Sequence, residues 1–300
     1  MVDVKTGVHP DRVRQQASHR LFVEGESDES FDVQVIQALL DRSGVNIKVQ
    51  PLGPSYRIRG AAEALHCVHP DYYFLIDRDH QDDTFVEKCW KKFPDPKQCN
   101  LLVWRRRELE SYFIIPEYLC QSDLLKRSKT KADLEEAILA SCSERLYLDA
   151  ANLVIISIRE DLKHRWIKRF GDSDLFSTEG EALSALKARP EWCKFGRKAG
   201  RLMGESTLRD RLHEAVTRLT GGLADLEYGQ GRWLELIKGK PVFGQVVNQF
   251  FDVKDNMGRY VQGSERQIQV AKSLFRQEVS NMPGDFVELQ RLIEKRVSPQ

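Results

Sequence analysis

A group of carboxylates directly follows the first apolar run of the sequence. Residues 21–23 (LFV) are apolar, Glu24 comes immediately after them, and Glu26 and Asp28 follow within four positions. A continuous apolar run flanked by turn residues is typical of a strand covered on both faces, and Gly25 permits a tight turn. We therefore expect Glu24 at the carboxyl edge of a sheet, where open α/β folds bind ligands. The alternative is that these acids only favour the start of the following helix.

A second apolar run repeats this arrangement. Residues 73–76 (YFLI) lead directly into Asp77, and Asp79 follows two positions later. In an extended chain, residues two apart project to the same side, so the spacing predicts two carboxylates that face one point. Carboxylates that close repel each other unless a cation or a proton lies between them. Such ligands suit Mg²⁺ or Mn²⁺, whereas a solvated Asp-x-Asp turn is the alternative.

The two stretches, VEGESD and IDRD, together resemble the topoisomerase-primase (TOPRIM) domain, which has a strand-terminal Glu before Gly and a DxD motif after a later strand. A third segment, RELESYF at residues 107–113, resembles the third acidic motif of the overcoming-lysogenization-defect group, with Ser111 where that group usually has Asn. The resemblance covers residues 20–119. It implies an α/β fold of the TOPRIM type, with a Rossmann-like, mainly parallel sheet flanked by helices, before a mostly helical C-terminal region.

The resemblance also implies a metal site. Glu24, Asp77 and Asp79 would bind Mg²⁺ or Mn²⁺, and Asp28 and Glu110 would serve a second ion. Paired metal ions about 4 Å apart can activate the attacking water and stabilise the leaving oxygen. The residues assigned to catalysis on this basis are Glu24, Glu26, Asp77, Asp79, Glu110 and Lys240.

Lys240 belongs to a short segment late in the chain. Residues 236–241 (LIKGKP) resemble a lysine-bearing segment found in some relatives. A lysine near the metal ions could stabilise the charge that develops on a transferred phosphate. Lys238 and Lys240 are both candidates for this role, and Lys240 is the one assigned to it.

Two basic segments predict where a nucleic acid would bind. Residues 105–107 are consecutive arginines that could hold a phosphodiester backbone beside the acids, or could form an ordinary solvated edge. Residues 192–204 contain no acid, and Trp192 and Phe195 offer faces for base stacking. A basic surface loop with core-facing aromatics is the alternative for the second segment. The residues predicted to contact nucleic acid are Arg105, Arg106, Arg107, Lys194, Arg197, Lys198 and Arg201.

Length and composition are those of an intracellular globular protein. The 300 residues predict an N-terminal arm (1–18), a TOPRIM domain (19–119) and a helical domain (120–300). The net charge of +1 excludes a global basic field, and the cysteines lack the spacing of a zinc site. No apolar stretch is long enough to span a membrane and the N-terminus is too polar for a signal peptide, so we expect a cytoplasmic location.

The function implied by the resemblance is that of TOPRIM effector subunits of two-gene anti-phage systems of the PARIS kind, whose partner is an ATPase. The chain has no GxxxxGK[ST] segment, so it should not hydrolyse ATP by a P-loop. We expect a toxic, metal-dependent endonuclease that cleaves RNA, with a tRNA loop as the foremost substrate because unstacked bases suit aromatic and Arg planes. DNA nicking, or a non-catalytic role as a regulatory subunit of the ATPase, is the alternative, and the free chain could form a homodimer.

Overall fold

The computed structural model describes residues 19–65, 68–79, 81–95, 100–163, 190–276, 278 and 282–297. The predicted N-terminal arm lies outside these ranges, so its prediction is untested. Within the same ranges, no helix combines the length and the apolar character needed to cross a bilayer.

A four-stranded, wholly parallel sheet carries the candidate site. Its strand order is β2-β1-β3-β4. Leu21 of β1 lies between Val49 of β2 and Tyr73 of β3, and all three side chains are buried. Because β1 and β3 are neighbours and point the same way, the residues that follow them meet at one edge of the sheet. The strands are β1 (His19–Val23), β2 (Ile47–Pro51), β3 (Tyr72–Ile76) and β4 (Leu101–Val103).

Helices connect the strands and make up most of the remaining described chain. The α/β class, the parallel sheet with flanking helices and the helical C-terminal part are therefore confirmed. The helices among and just after the strands are α1 (Phe31–Arg42), α2 (Ser55–Leu65), α3 (Asp83–Lys92), a 3₁₀ helix (Leu109–Tyr112) and α4 (Pro116–Leu119). The later helices are α5 (Lys131–Lys163), α6 (Pro190–Leu202), α7 (Glu205–Thr220), α8 (Trp233–Leu236), α9 (Gly239–Phe250), α10 (Gly263–Leu274) and α11 (Gly284–Val297).

The chain folds as two compact units whose boundaries differ from the predicted domains. One unit contains the described residues up to Cys142 together with those from Leu234 onward, and the other is Ser143–Trp233. The last three helices therefore belong with the sheet rather than with a separate helical domain.

An aromatic cluster explains why the last helices join the first unit. Phe113 lies just after the 3₁₀ helix, and its ring centroid is 5.4 Å from that of Phe243 on α9. The centroids of Phe275 and Phe286 lie 6.0 Å and 5.6 Å from Phe113. Rings at these separations bury a large apolar area and gain favourable edge-to-face contacts. Residues that are 130 or more positions apart in sequence thus share one core, which local sequence patterns do not reveal.

Candidate active site

Acidic side chains from several elements converge on one cleft at the carboxyl edge of the sheet. Glu24 follows β1, Asp77 follows β3, and Asp32 lies in the first turn of α1. The cleft has a volume of about 490 Å³. Its acidic lining consists of Glu24, Glu26, Asp32, Asp77, Glu108 and Glu110.

Backbone amides hold two of these carboxylates in place. The Asp77 amide donates a hydrogen bond to Glu24 Oε1 at 3.1 Å, and the Leu109 amide donates to Asp77 Oδ1 at 3.1 Å. Gly25 lets the chain turn sharply after β1, with φ of +143°, and a Cβ at this position would lie 2.7 Å from the Ser30 Cβ. The ends of β1, β3 and the 3₁₀ helix are thus fixed relative to one another by direct contacts.

Burial and mutual repulsion make the carboxylates difficult to ionise. Burial raises the pKa of Asp77 well above its ordinary value, and the charges of Asp32 and Glu110 raise it further. Burial raises the pKa of Glu110 to about 7, and the neighbouring Glu108 charge adds to the shift. Burial likewise raises the pKa of Asp32 and of Glu24. Each group disfavours the ionisation of its neighbours, as expected when carboxylates crowd a partly desolvated site.

Two lysines at the start of α9 face the acids. Lys238 Nζ lies 3.7 Å from Glu108 Oε1, and Lys240 Nζ lies 3.9 Å from Glu110 Oε1. The Lys240 amide also donates to Glu108 Oε2 at 3.0 Å, so Glu108 holds the first turn of α9. The lysine side chains are 45% and 67% exposed, which leaves their ammonium groups accessible from the cleft opening. The late lysine segment therefore reaches the same cleft as the acidic motifs.

Gly239, between these lysines, lies directly against the third motif. A Cβ on Gly239 would lie 2.4 Å from Ser111 Oγ and 2.5 Å from the Ser111 backbone nitrogen. A residue with a side chain could not occupy this position without displacing the backbone of α9 or of the 3₁₀ helix. Glycine at 239 is thus what allows both lysines to approach Glu108 and Glu110.

The donor set fits a hard divalent cation. In the described ranges, no three His, Cys, Asp or Glu side chains are already arranged as a metal-ligand group. The chemistry nevertheless suits Mg²⁺ or Mn²⁺, because the lining has six carboxylates and only two lysines. A divalent ion would relieve the repulsion that raises the pKa values. The residues that could hold such an ion are Glu24, Asp32, Asp77 and Glu110.

Asp79 does not share the cleft with Asp77, so the expectation that both face one point is wrong. That expectation assumed an extended chain, but β3 ends at Ile76 and Asp79 adopts a left-handed φ of +48°. The intervening Arg78 turns inward, where it is 3% exposed and pairs with Asp83. Asp79 is exposed, although its charge still raises the pKa of Glu24.

Asp28 also lies outside the cleft lining, whereas Asp32, which the sequence reasoning missed, lies within it. Asp28 is exposed in the loop before α1, and its carbonyl accepts a hydrogen bond from Gln34 Nε2 at 2.8 Å. Asp32 comes four residues later, in the first turn of α1 at the sheet edge. An acid in the first turn of a helix is so common that this position carried no distinct signal. Ser264 and Gln267 of α10 line the cleft too, and no motif marked them.

The Arg105 side chain is paired with acidic side chains of the protein and does not lie free on an open surface. Its Nη1 donates to Asp285 Oδ1 at 2.7 Å and to Glu288 Oε2 at 2.9 Å. Its Nε donates to Glu87 Oε1 at 2.8 Å, and the guanidinium carbon lies 4.0 Å from the centre of the Trp90 ring. Three carboxylates and an aromatic face therefore already occupy this side chain.

Arg106 and Arg107 are also directed inward. Arg106 Nη1 donates to the Ser111 carbonyl at 2.8 Å, and Arg107, which is 8% exposed, donates to the Leu236 carbonyl at 3.0 Å. These guanidinium groups therefore donate to backbone carbonyls of the 3₁₀ helix and of α8. Residues 105–107 thus form neither a phosphate-binding surface nor a solvated edge, which corrects both interpretations.

Arg105→Ala is therefore expected to lower stability. Removing the guanidinium leaves Glu87, Asp285 and Glu288 close together without their cation, which should cost about 2–3 kcal/mol. Thermal unfolding measures this loss. Arg276→Ala is the matched control, because it breaks an exposed pair with Asp123 and should change stability by less than about 1 kcal/mol. Equal effects of the two substitutions would contradict a structural role for Arg105.

The second predicted basic segment lies on α6, in the compact unit Ser143–Trp233. Lys194, Arg197 and Arg201 are exposed there. Lys198 Nζ donates to the Asp161 carbonyl at 2.6 Å, so one cation of the segment holds α6 against α5. The segment is a helix rather than a loop. Its nucleic-acid role stays a prediction, and the Trp192 side chain lies outside the described residues.

Comparison with protein-family models and with curated proteins finds no match to this chain. The resemblance to TOPRIM nucleases therefore depends on the three acidic motifs and the lysine segment. The structure brings residues of all four segments to a single cleft.

The stability of the metal-free chain should depend on pH because of Glu110. The folded chain keeps this proton up to about pH 7, while the ordinary pKa is 4.5, so the folded state binds more protons between these values. Stability should therefore fall as pH rises through this window, and Asp77, Asp32 and Glu24, whose pKa values burial also raises, should add to the fall. Urea unfolding across the window should show the slope in wild type and a reduced slope in Glu110→Gln. Glu265→Gln, at an exposed position of α10, should keep the wild-type slope.

Proposed function

We propose that this chain is an Mg²⁺- or Mn²⁺-dependent endonuclease whose active site is the acidic cleft. The observation that carries the proposal is the convergence of six carboxylates and two lysines at the carboxyl edge of one parallel sheet. An acidic site alone would repel a phosphodiester, whereas carboxylates that hold a divalent ion beside accessible lysines can bind one. Ligands of open α/β sheets bind at this edge.

The residues of the cleft divide into three roles under this proposal. Glu24, Asp32, Asp77 and Glu110 hold the metal, which when bound supplies water activation and charge neutralisation at the phosphate. Lys238 and Lys240 contact phosphate oxygens and stabilise the negative charge that grows on them. Glu26 is exposed at the rim of the cleft, where its carboxylate can accept a proton from the attacking water.

The resemblance to effectors of the PARIS kind supports the wider proposal. The chain would act in the cytoplasm as the toxic subunit of an anti-phage system, released or activated by a separately encoded ATPase. Its substrate would be structured RNA, foremost a tRNA loop, so that cleavage arrests translation. Stable co-elution of the chain with the product of a neighbouring ATPase gene, after co-expression, would test the partnership, and consistent separate elution would count against it.

Expression in cells together with the ATPase and its trigger tests the activity and the substrate class. RNA-end sequencing should reveal discrete breaks in tRNA loops while a resident plasmid stays supercoiled, and Asp77→Asn should show no breaks. Nicked plasmid with intact tRNA would favour the DNA alternative. If neither nucleic acid is cut but ATPase activity changes on co-expression, the chain is a regulatory subunit and the proposal fails.

A further inference from the structure

Helix α2 begins beside the candidate active site. It follows β2, which neighbours β1, so its first turn lies at the same sheet edge as Glu24. Tyr56 in this turn is 68% exposed, and Arg57 next to it is also exposed. Arg59, two residues after Arg57, is half-buried. We refer to Tyr56, Arg57 and Arg59 as the Tyr56 surface.

Contacts through Gly53 and the proximity of Arg59 to Glu24 connect this surface to the cleft. The Gly53 amide donates to the carbonyl of Gly25, a cleft residue, at 2.9 Å. Arg57 lies across Gly53, since a Cβ there would be 3.1 Å from Arg57 Nη1. The Arg59 guanidinium lies over the Phe85 ring, 5.7 Å from its centre, and is near enough to Glu24 to act on its carboxylate. The two arginines therefore border the Glu24 side of the cleft.

The guanidinium groups of these two arginines are not paired with other groups of the fold. Within the described ranges, neither the Arg57 nor the Arg59 side chain forms a hydrogen bond or an ion pair, in contrast to the multiple partners of the Arg105 side chain. Guanidinium groups that have no ion-pair partner and lie next to an acidic cleft would attract a polyanion, which the carboxylates alone would repel. Charge complementarity and continuity with the cleft thus indicate a nucleic-acid partner for this surface.

We propose that the Tyr56 surface binds a single-stranded RNA segment of the substrate and leads it into the cleft. The Tyr56 ring stacks on a base, and Arg57 and Arg59 contact the adjoining phosphates. A single strand is required because the faces of bases in a duplex are already stacked, whereas an exposed ring can take an unpaired base of any identity. This inference rests on the proposed nuclease function and adds to it the form of the substrate.

Binding of a labelled single-stranded oligoadenylate to the full chain tests the inference. Fluorescence anisotropy in EDTA avoids cleavage. Tyr56→Ala should weaken binding at least about fivefold, whereas Tyr56→Phe, which keeps the ring, should bind like wild type. Arg57→Ala should weaken binding and reduce the slope of log affinity against log salt by about 0.7, the value for one phosphate contact on a single strand. Tyr147→Ala is the matched control, because Tyr147 is also 68% exposed but lies in the other compact unit.

Several results would overturn the inference. These are equal affinities for wild type and Tyr56→Ala, no binding by wild type, or binding of the matching oligodeoxynucleotide but not of the RNA. If Tyr56→Ala does not fold, Arg57→Glu replaces it and should weaken binding more than Arg57→Ala. A chain that binds through this surface but never cleaves would refute the nuclease function and leave the inference standing. Cleavage with a KM that is unchanged by Tyr56→Ala would refute the inference and leave the nuclease function standing.

Discussion

Asp77→Asn is expected to abolish metal-dependent cleavage without unfolding the chain. The amide keeps the oxygen that accepts the Leu109 hydrogen bond, so the local backbone should not change. The substitution removes a negative charge from the acidic cluster, where burial and four neighbouring acids raise the pKa of Asp77. We expect cleavage to fall at least about 10³-fold, which corresponds to about 4 kcal/mol of lost transition-state stabilisation. Single-turnover cleavage of labelled RNA in Mg²⁺ measures this loss.

Stability distinguishes a functional acid from a structural one. In EDTA, Asp77→Asn should unfold at the wild-type temperature or above it, because one charge has left a repulsive cluster. Glu24→Gln should behave in the same way, since it keeps an acceptor for the Asp77 amide. Asp28→Asn is the matched control and should retain cleavage, because Asp28 lies outside the cleft lining. Unfolding of both Asp77→Asn and Glu24→Gln would mark these acids as structural and contradict the site.

Gly239→Ala is expected to produce the second largest effect. The new Cβ would lie within 2.7 Å of the Ser111 backbone, so α9 must shift away from the 3₁₀ helix. A displacement of about 1 Å can cost a factor of about 10² in rate, and we expect a loss of that size as Lys238 and Lys240 move. The overpacking should also cost about 1–3 kcal/mol of stability. Cleavage rates and thermal unfolding of the same preparation measure both effects.

Gly284→Ala provides the control for Gly239→Ala. Gly284 is likewise the first residue of its helix, and a Cβ there would meet no atom within 4 Å. Its substitution should leave cleavage unchanged and stability equal or slightly higher, since alanine restricts the unfolded chain. Full cleavage by Gly239→Ala would show that the lysines need no fixed position, contrary to the role we assign them.

Strand ends were the part of the site that the sequence could predict. Residues 73–76 are buried on both faces of the sheet, Leu21 and Val23 are buried on one face of β1, and the acids that follow these runs must lie at the sheet edge. Glu24 and Asp77 could therefore be placed together before the structure was known. The same reasoning failed at Asp79, because the inward turn of Arg78 depends on its partners Asp83 and the Arg105 carbonyl, which lie on other segments.

Long-range packing accounts for what the sequence could not show. Asp32 and Gln267 enter the cleft because α1 and α10 pack at the sheet edge, and neither position has a spacing that marks it. Arg105 looks like a phosphate ligand until Asp285 and Glu288, 180 or more positions away, are seen to pair with it. Charged residues are ambiguous in this way because a protein acid and a phosphate satisfy arginine equally well.

Direct measurement of metal binding tests the central claim most simply. Titration of Mn²⁺ into the purified chain, with the free ion followed by electron paramagnetic resonance, counts bound ions without any need for a substrate. We predict that wild type binds at least one Mn²⁺, that Mg²⁺ competes for it, and that Asp77→Asn and Glu24→Gln lose it while Asp28→Asn keeps it. Absence of binding by wild type, or equal binding by wild type and Asp77→Asn, would contradict a metal-dependent active site in the cleft.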